Sequence, residues 1–406
     1  MTGTGALRSI AVVGASLAGL AAVRALRGQG YDGEIVAIGA ERHEPYDRPP
    51  LSKDFLTGRC AAADLALGDP DEDLAVDWRL GATAVRLDAH DRGITLADGT
   101  EIRADAVVLA TGARARQLPG TGGLAGVHTL RTLDDAVALR ADLAAAERLV
   151  VIGAGFIGAE VASSARSLGL DVTVVEALPV PLAGPLGVEM GTVCAGLHAD
   201  HGVRLLTGTG VARLLGSERV TAVELADGTL LPADVVVVGV GAQPNVEWLA
   251  GSGLELAGGV VTDAAGATKL PGVVATGDCA VSFSPYTRRV TRTEHWTHAH
   301  EQPAAAVATL LGGTVDNPRR EYAPAPYFWS DQYGVRIQFA GHRTDGDAVR
   351  IIEGHPDDRS FLALYERDGQ FVAALAMNQP KLFTRWRRQL RVPAAAPALM
   401  TPGVSA

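Results

Sequence analysis

The chain carries one glycine-punctuated pattern twice. It reads Gly14-Ala15-Ser16-Leu17-Ala18-Gly19 near the start and Gly153-Ala154-Gly155-Phe156-Ile157-Gly158 further on. Each copy follows an apolar β-branched run, at 10–13 and 149–152, and opens an alanine-rich stretch of helical period. In such a turn the first glycine makes the bend, the second lets backbone N–H groups approach a pyrophosphate, and the third lets the helix pack on the strand. The helix N-terminus then faces the phosphate charge. One copy alone could punctuate any doubly wound sheet; two in the same context point to a duplicated dinucleotide-binding module. The first copy departs from the pattern at Ser16, whose small side chain weakens the local signal without cancelling it.

The repetition continues beyond the glycines. A second strand is predicted after each helix, over 34–38 and 171–175, and the latter ends at Glu176. An acid at that spacing can accept hydrogen bonds from the adenosine ribose hydroxyls. Residues 177–184 hold no Arg or Lys to receive a 2′-phosphate, so the pattern favours NADH over NADPH. In the first copy the nearest acid, Glu41, comes slightly late. Asp98-Gly99 and Asp227-Gly228 each read as a hairpin turn. Each turn precedes an apolar strand, one running into Ala110-Thr111-Gly112 and the other into Gly241.

At 406 residues the chain exceeds what one hydrophobic core usually serves, so two or three domains are expected. Cys60, Cys194 and Cys279 form no Cys-x-x-Cys pair and read as reduced, buried thiols of a cytoplasmic protein. The apolar run 10–23 is better explained by the glycine loop than by a signal peptide. No apolar run reaches the length of a membrane span, and a net charge of −10 argues against nucleic-acid binding. One basic exception is the segment from Lys381 to Arg391, with five cations and no acid. It reads as a solvated helix face, or as a docking surface if the partner is acidic.

With the two glycine motifs, the segments Glu44-Pro-Tyr-Asp-Arg48-Pro-Pro-Leu-Ser-Lys53, Thr276-Gly277-Asp278 and Phe328-Trp329-Ser330-Asp331-Gln332 closely resemble the FAD-dependent NADH:ferredoxin reductases. These flavoproteins serve bacterial haem monooxygenases and aromatic-ring dioxygenases. The resemblance implies an α/β fold with two Rossmann-like dinucleotide-binding domains of the glutathione-reductase type and a C-terminal α+β domain. The FAD domain is expected over 1–112 and 246–322, the NAD domain over 113–245, and the last domain over 323–406.

The resemblance also implies site residues. FAD is expected against Gly14, Ser16, Leu17, Ala18 and Gly19, against Ala40, Glu41 or Arg42, and against Arg48, Val85, Ala110, Thr111, Gly112, Arg131, Gly277 and Asp278. Ala40 stands where an acid is common. NAD is expected against Gly153, Gly155, Phe156, Ile157, Gly158, Glu176 and Gly241. Lys53 and Glu160 are expected to form an ion pair beside the flavin, with Phe156 either covering the ring before nicotinamide arrives or simply packing in a core. Trp296 begins a helix whose positive end faces the flavin. Trp329 belongs either near the flavin edge or in the core of the last domain. His295, His298 and His300 lack the acid or cysteine of a metal-ligand spacing, and no metal is expected.

The implied chemistry is hydride transfer from NADH to FAD, then single-electron transfers to an iron–sulfur ferredoxin on a separate chain, with Arg387 and Arg388 on the expected docking surface. The rival disulfide reductases and peroxidases need a cysteine within 39–56, where there is none. An NADH oxidase, a quinone reductase or a slow redox-sensing flavoprotein remain alternatives.

Overall fold

The computed structural model describes residues 7–69, 71–120, 123–312 and 319–390. Arg391 of the basic segment and the remainder of the expected last domain, 391–406, lie outside the described residues.

Two parallel five-stranded sheets carry the repeat. In the first, Ser9–Val13 lies between Glu34–Gly39 and Ala106–Leu109, with Val76–Leu80 and Val273–Ala275 at the edges. In the second, Arg148–Ile152 lies between Asp171–Glu176 and Val235–Val238, flanked by Arg204–Thr207 and Val127–His128. Central strands covered on both faces read as unbroken apolar runs, as 10–13 and 235–238 do. Both Asp-Gly segments form the expected antiparallel hairpins. The chain leaves the first sheet region through Ala113–Ala115 and returns through Ala242–Pro244, and these two strands pair antiparallel. Asn245 locks the crossover, its Nδ2 donating to Thr111 O at 3.0 Å while Thr111 Oγ1 donates to Asn245 O at 2.7 Å.

The last sheet is antiparallel, with strands Tyr327–Gln332, Val335–Gly341, Gln370–Met377, Ser360–Arg367 and Ala348–His355 in spatial order. One face packs on helix Ala183–Asp200, kinked at Gly187, through Leu186 before the kink and Met190, Cys194 and Leu197 at helical spacing after it, against Ile337, Phe361 and Tyr365. Phe383 of helix Pro380–Arg387 fills the other face.

At the seam, His198 of the Ala183–Asp200 helix is 2% exposed and shares a 2.8 Å hydrogen bond with Tyr333 Oη. Burial pushes its pKa down to about 4. Because this lies below the unfolded value of about 6.5, the unfolded chain binds the extra proton first as pH falls. Stability is therefore expected to drop through the window from pH 6.5 to 4, by on the order of 3 kcal/mol from this residue. Urea unfolding at pH 7 and pH 4.5 checks it: His198→Phe should lose less stability across the interval than the parent, and an unchanged difference would refute the assignment.

Candidate functional site

Two cradles are built by the same local rules. Gly14 has φ +120°, and a Cβ there would lie 2.0 Å from Ala110 O; one on Gly19 would lie 1.8 Å from Gly14 O. In the second copy Gly153 has φ +100°, and a Cβ would lie 2.4 Å from Gly239 O, while one on Gly158 would lie 2.0 Å from Gly153 O. The first and third glycines are thus required by the chain itself. The middle position differs: a Cβ on Gly155 meets nothing within 4 Å, which is why Ser16 can occupy its counterpart. No side chain caps either following helix, Leu17–Gly28 or Phe156–Ser167, so both N-termini stay open to an anion. This geometry fits two dinucleotides.

Around the first cradle, Arg48 donates from Nε to Ser16 Oγ at 3.3 Å, from one terminal nitrogen to Arg131 O at 2.6 Å, and from the other to Glu41 Oε1 at 2.5 Å. Tyr46 Oη donates to the second Glu41 oxygen at 2.6 Å. Glu41 therefore braces Arg48 in this state. Ala40 and Arg42 are exposed beside it, and Val85 is 45% exposed on a separate three-stranded sheet. Leu17 is half-buried and Ala18 buried in the helix start. Arg131 pairs with Asp278 at 2.6 Å, and Gly277 N donates to Gln302 Oε1 at 2.8 Å, which ties the Thr276-Gly277-Asp278 turn to helix Trp296–Leu310. Asn245, described above, holds Thr111 and Gly112 of the neighbouring turn; Asn245 N donates to Gly112 O at 3.0 Å.

Around the second cradle, Glu176 already holds the loop: its oxygens accept from Ala154 N at 2.8 Å and Leu178 N at 2.9 Å. Ile157 is 46% exposed at the helix start, and Gly241, with φ +109°, ends the strand-to-turn passage beyond Val235–Val238.

On the helix of the second cradle two distant segments converge on one carboxylate. Glu160 is 3% exposed; its Oε2 accepts from Lys53 Nζ at 2.6 Å and Ser52 Oγ at 2.5 Å, and its Oε1 from Ser330 Oγ at 2.6 Å. Lys53 Nζ also donates to Pro49 O at 2.9 Å. The register explains how the last sheet reaches this point. Two residues of strand advance about 6.6 Å and four residues of helix about 6 Å. Strand Tyr327–Gln332 therefore runs in step with helix Phe156–Ser167 over two contacts, Phe328 meeting Phe156 at a ring distance of 4.7 Å and Ser330 meeting Glu160; just past the strand, Tyr333 N donates to Ser163 Oγ at 2.7 Å. Phe156 is thus half-buried against Phe328 at the edge of the last sheet's core. Ser52, Ser330, Gln332 and Gln302 are the residues that motif reading passed over. Ser52, Ser330 and Gln332 stand inside quoted motifs, but no spacing in the sequence brings position 330 beside position 160.

Alternation along the same strand turns Tyr327 and Trp329 to the opposite face. Trp329 lies 6.0 Å from Trp296, stacks on Tyr327 and is half-buried, so it sits at the boundary between helix Trp296–Leu310 and the last sheet. Trp296 Nε1 donates to Asp47 Oδ1 at 2.7 Å. His295 and His298 are held near pKa 4 by burial and are neutral at pH 7. Among the described residues no group of three or more His, Cys, Asp or Glu is placed to hold a metal ion.

One expectation needs correction. Cys194 and Cys279 are buried, but Cys60 is only half-buried, at the edge of a small cluster with Tyr46, Leu51 and Phe55. Burial and the nearby Asp54 raise its thiol pKa, which opposes nucleophilic use. The basic helix does not present all its cations alike. Burying Phe383 turns Arg387, four residues on, toward the same side, and its guanidinium lies 4.0 Å from the Tyr327 ring centroid. Arg388 is exposed.

Comparison with known proteins agrees with this architecture. Residues 8–303 match the family described as pyridine nucleotide-disulphide oxidoreductase, and residues 327–403 match the reductase C-terminal family. Rhodocoxin reductase from Rhodococcus erythropolis is 37% identical over 92% of this chain and 87% of its own length. The ferredoxin–NAD(+) reductase component of the biphenyl dioxygenase system of Paraburkholderia xenovorans is 38% identical over 93% and 91%. In the solved covalent complex of putidaredoxin reductase with putidaredoxin, the matching chain superposes with a TM-score of 0.89 at 34% identity, covering 95% of this chain and 93% of that one. With both cradles, the crossover and the last sheet in place, the chain belongs to the FAD-dependent NADH:ferredoxin reductases of the pyridine nucleotide-disulphide oxidoreductase family.

Proposed function

We propose that this protein takes a hydride from NADH through FAD and passes the electrons singly to a separate iron–sulfur ferredoxin that feeds an oxygenase. The observation that carries the reading is the Lys53–Glu160 pair, its carboxylate buried, which ties the segment at 49–53 to the helix of the second cradle. When bound, FAD supplies the conversion of a two-electron donor into one-electron steps. We assign it to the first cradle, within a unit formed by 1–112 and 246–322, and NADH to the second, within 113–245. Arg48, Arg131 and Asp278 would hold FAD, and Glu176 would exchange its loop contacts for the ribose hydroxyls. Lys53 would address the reacting edge, held there by Glu160, and Phe156 would be displaced as nicotinamide enters. The chain has three cysteines, too few for a four-thiolate cluster, so the one-electron acceptor is another protein. Unpaired cysteines suit a cytoplasmic setting, and among the described residues no helix is long and apolar enough to cross a membrane.

Anaerobic reduction of a [2Fe–2S] ferredoxin by NADH and this protein tests the assignment. Rapid reduction is expected; substantial oxygen or quinone turnover with negligible ferredoxin reduction would overturn it in favour of an oxidase or quinone reductase. Replacing Glu176 by Ala together with Ala177→Arg is expected to shift the NADH/NADPH ratio of kcat/KM toward NADPH by at least about tenfold, since a repelling carboxylate gives way to a phosphate partner. Unchanged selectivity would remove Glu176 from ribose recognition. Neutralising Arg387 and Arg388 is expected to slow ferredoxin reduction more than ferricyanide reduction, and more at low salt. Equal effects on both acceptors would take that helix off the docking surface.

A further inference from the structure

We propose that Ser330, braced by Gln332, is a positioning residue for hydride transfer: the C-terminal sheet completes the reaction site by fixing the Glu160 carboxylate and, through it, the Lys53 ammonium. The inference rests on the assignment of Lys53 and Glu160 to the reacting edge.

Donor counting gives the reason. An ammonium has three N–H donors. Lys53 spends one on Glu160 Oε2 at 2.6 Å and one on Pro49 O at 2.9 Å, while its 3.5 Å approach to Ser52 Oγ is too long to count as a further strong bond. One donor is left for a ligand. The carboxylate that anchors Lys53 turns about a broad, soft torsion, so holding one oxygen alone does not fix its plane. Ser330 Oγ holds the other oxygen, Oε1, at 2.6 Å. Ser330 is 0% exposed and Gln332 2% exposed, and Gln332 Nε2 donates to Ser330 Oγ at 3.0 Å, which commits the serine hydrogen to Glu160. Both bonds lie out of reach of solvent. Without the Ser330 hydroxyl, Oε1 would be a buried acceptor lacking its donor, and the third N–H of Lys53, already bonded to the same carboxylate, is a donor it can reach by turning. The carboxylate would then swing toward the ammonium and take the donor that the flavin edge would otherwise receive.

The last sheet therefore does more than cover the Ala183–Asp200 helix. Its first strand delivers Ser330 because Phe328 and Tyr333, two residues before and three after, are keyed to Phe156 and Ser163 of the same helix that carries Glu160.

The test compares Ser330→Ala, Gln332→Leu and Glu160→Gln in the FAD-loaded protein. Stopped-flow reduction by NADH separates the limiting rate from the apparent Kd, and dye equilibration gives the flavin midpoint potential. Ser330→Ala is expected to lower the limiting rate about tenfold with the NADH Kd unchanged. The potential should fall by about 30 mV, which is tenfold for a two-electron couple. Gln332→Leu should move both in the same direction by less. Partial recovery in Ser330→Cys, which keeps a weak donor at similar volume, is expected. If Glu160→Gln slows reduction and Ser330→Ala leaves both rate and potential unchanged, the positioning role is wrong. If Glu160→Gln itself has no effect, the assignment of the pair to the reacting edge fails instead. Should Ser330→Ala lose FAD, the Gln332→Leu and Ser330→Cys measurements decide by the same criteria.

Discussion

Gly19→Ala is expected to yield a protein that no longer retains FAD, whereas Gly158→Ala keeps the flavin and loses its reduction by NADH. In each the new Cβ would fall on the carbonyl of the first loop glycine, at 1.8 Å from Gly14 O and 2.0 Å from Gly153 O. That carbonyl is backbone, held by the strand behind it, with Gly14 N donating to Ile38 O at 2.8 Å and Gly153 N to Val175 O at 2.7 Å. The helix must move away from its strand, carrying its N-terminus off the phosphate position. A displacement of about 1 Å suffices for a 100-fold loss in a positioned reaction. The flavin-to-protein absorbance ratio after gel filtration reads the first variant. For the second, NADH reduction should fall at least about 100-fold while dithionite still bleaches the flavin. If Gly158→Ala lost flavin and kept NADH affinity, the two cradles would be assigned the wrong way round.

The second large effect is expected at Glu160. Glu160→Ala leaves the Lys53 ammonium and the Ser52 and Ser330 hydroxyls without their acceptor in a site where Glu160 is 3% and Lys53 18% exposed. Breaking a buried pair on one side costs about 3–5 kcal/mol. Reduction by NADH should slow by about 100-fold, the usual cost of losing a preorganised electrostatic contact. Denaturant unfolding and single-turnover reduction check the two parts separately. Glu160→Gln should recover most of the stability, since an amide oxygen still accepts from Lys53, but not the rate. A variant of full stability and full rate would remove the pair from both roles.

Much of this was legible in the chain. The glycine patterns were readable because backbone sterics demand glycine where φ is positive or a carbonyl lies within 2 Å, as at Gly14 and Gly153. The paired sheets followed from apolar runs, and the hairpins from Asp-Gly turns. Lys53 and Glu160 were placed together only through resemblance, since they lie 107 positions apart. Nothing local marked Ser330 as the third partner: a serine in a strand between Trp329 and Asp331 looks like any half-buried position. Nor did the cation count of the last helix show that Arg387 would fold over Tyr327, because that depended on which side Phe383 buried.

The duplicated glycine pattern by itself determined that two dinucleotide-binding turns exist and where each begins, because that constraint acts between neighbours in the chain. Only the tertiary structure decided what converges on the helix of the second. Matching the rise of helix Phe156–Ser167 to that of strand Tyr327–Gln332 sets Phe328 and Ser330 against Phe156 and Glu160, and Tyr333 just beyond the strand bonds Ser163. That match depends on packing between segments distant in the chain, and it adds a donor from the last sheet to the two that Ser52 and Lys53 give the buried carboxylate.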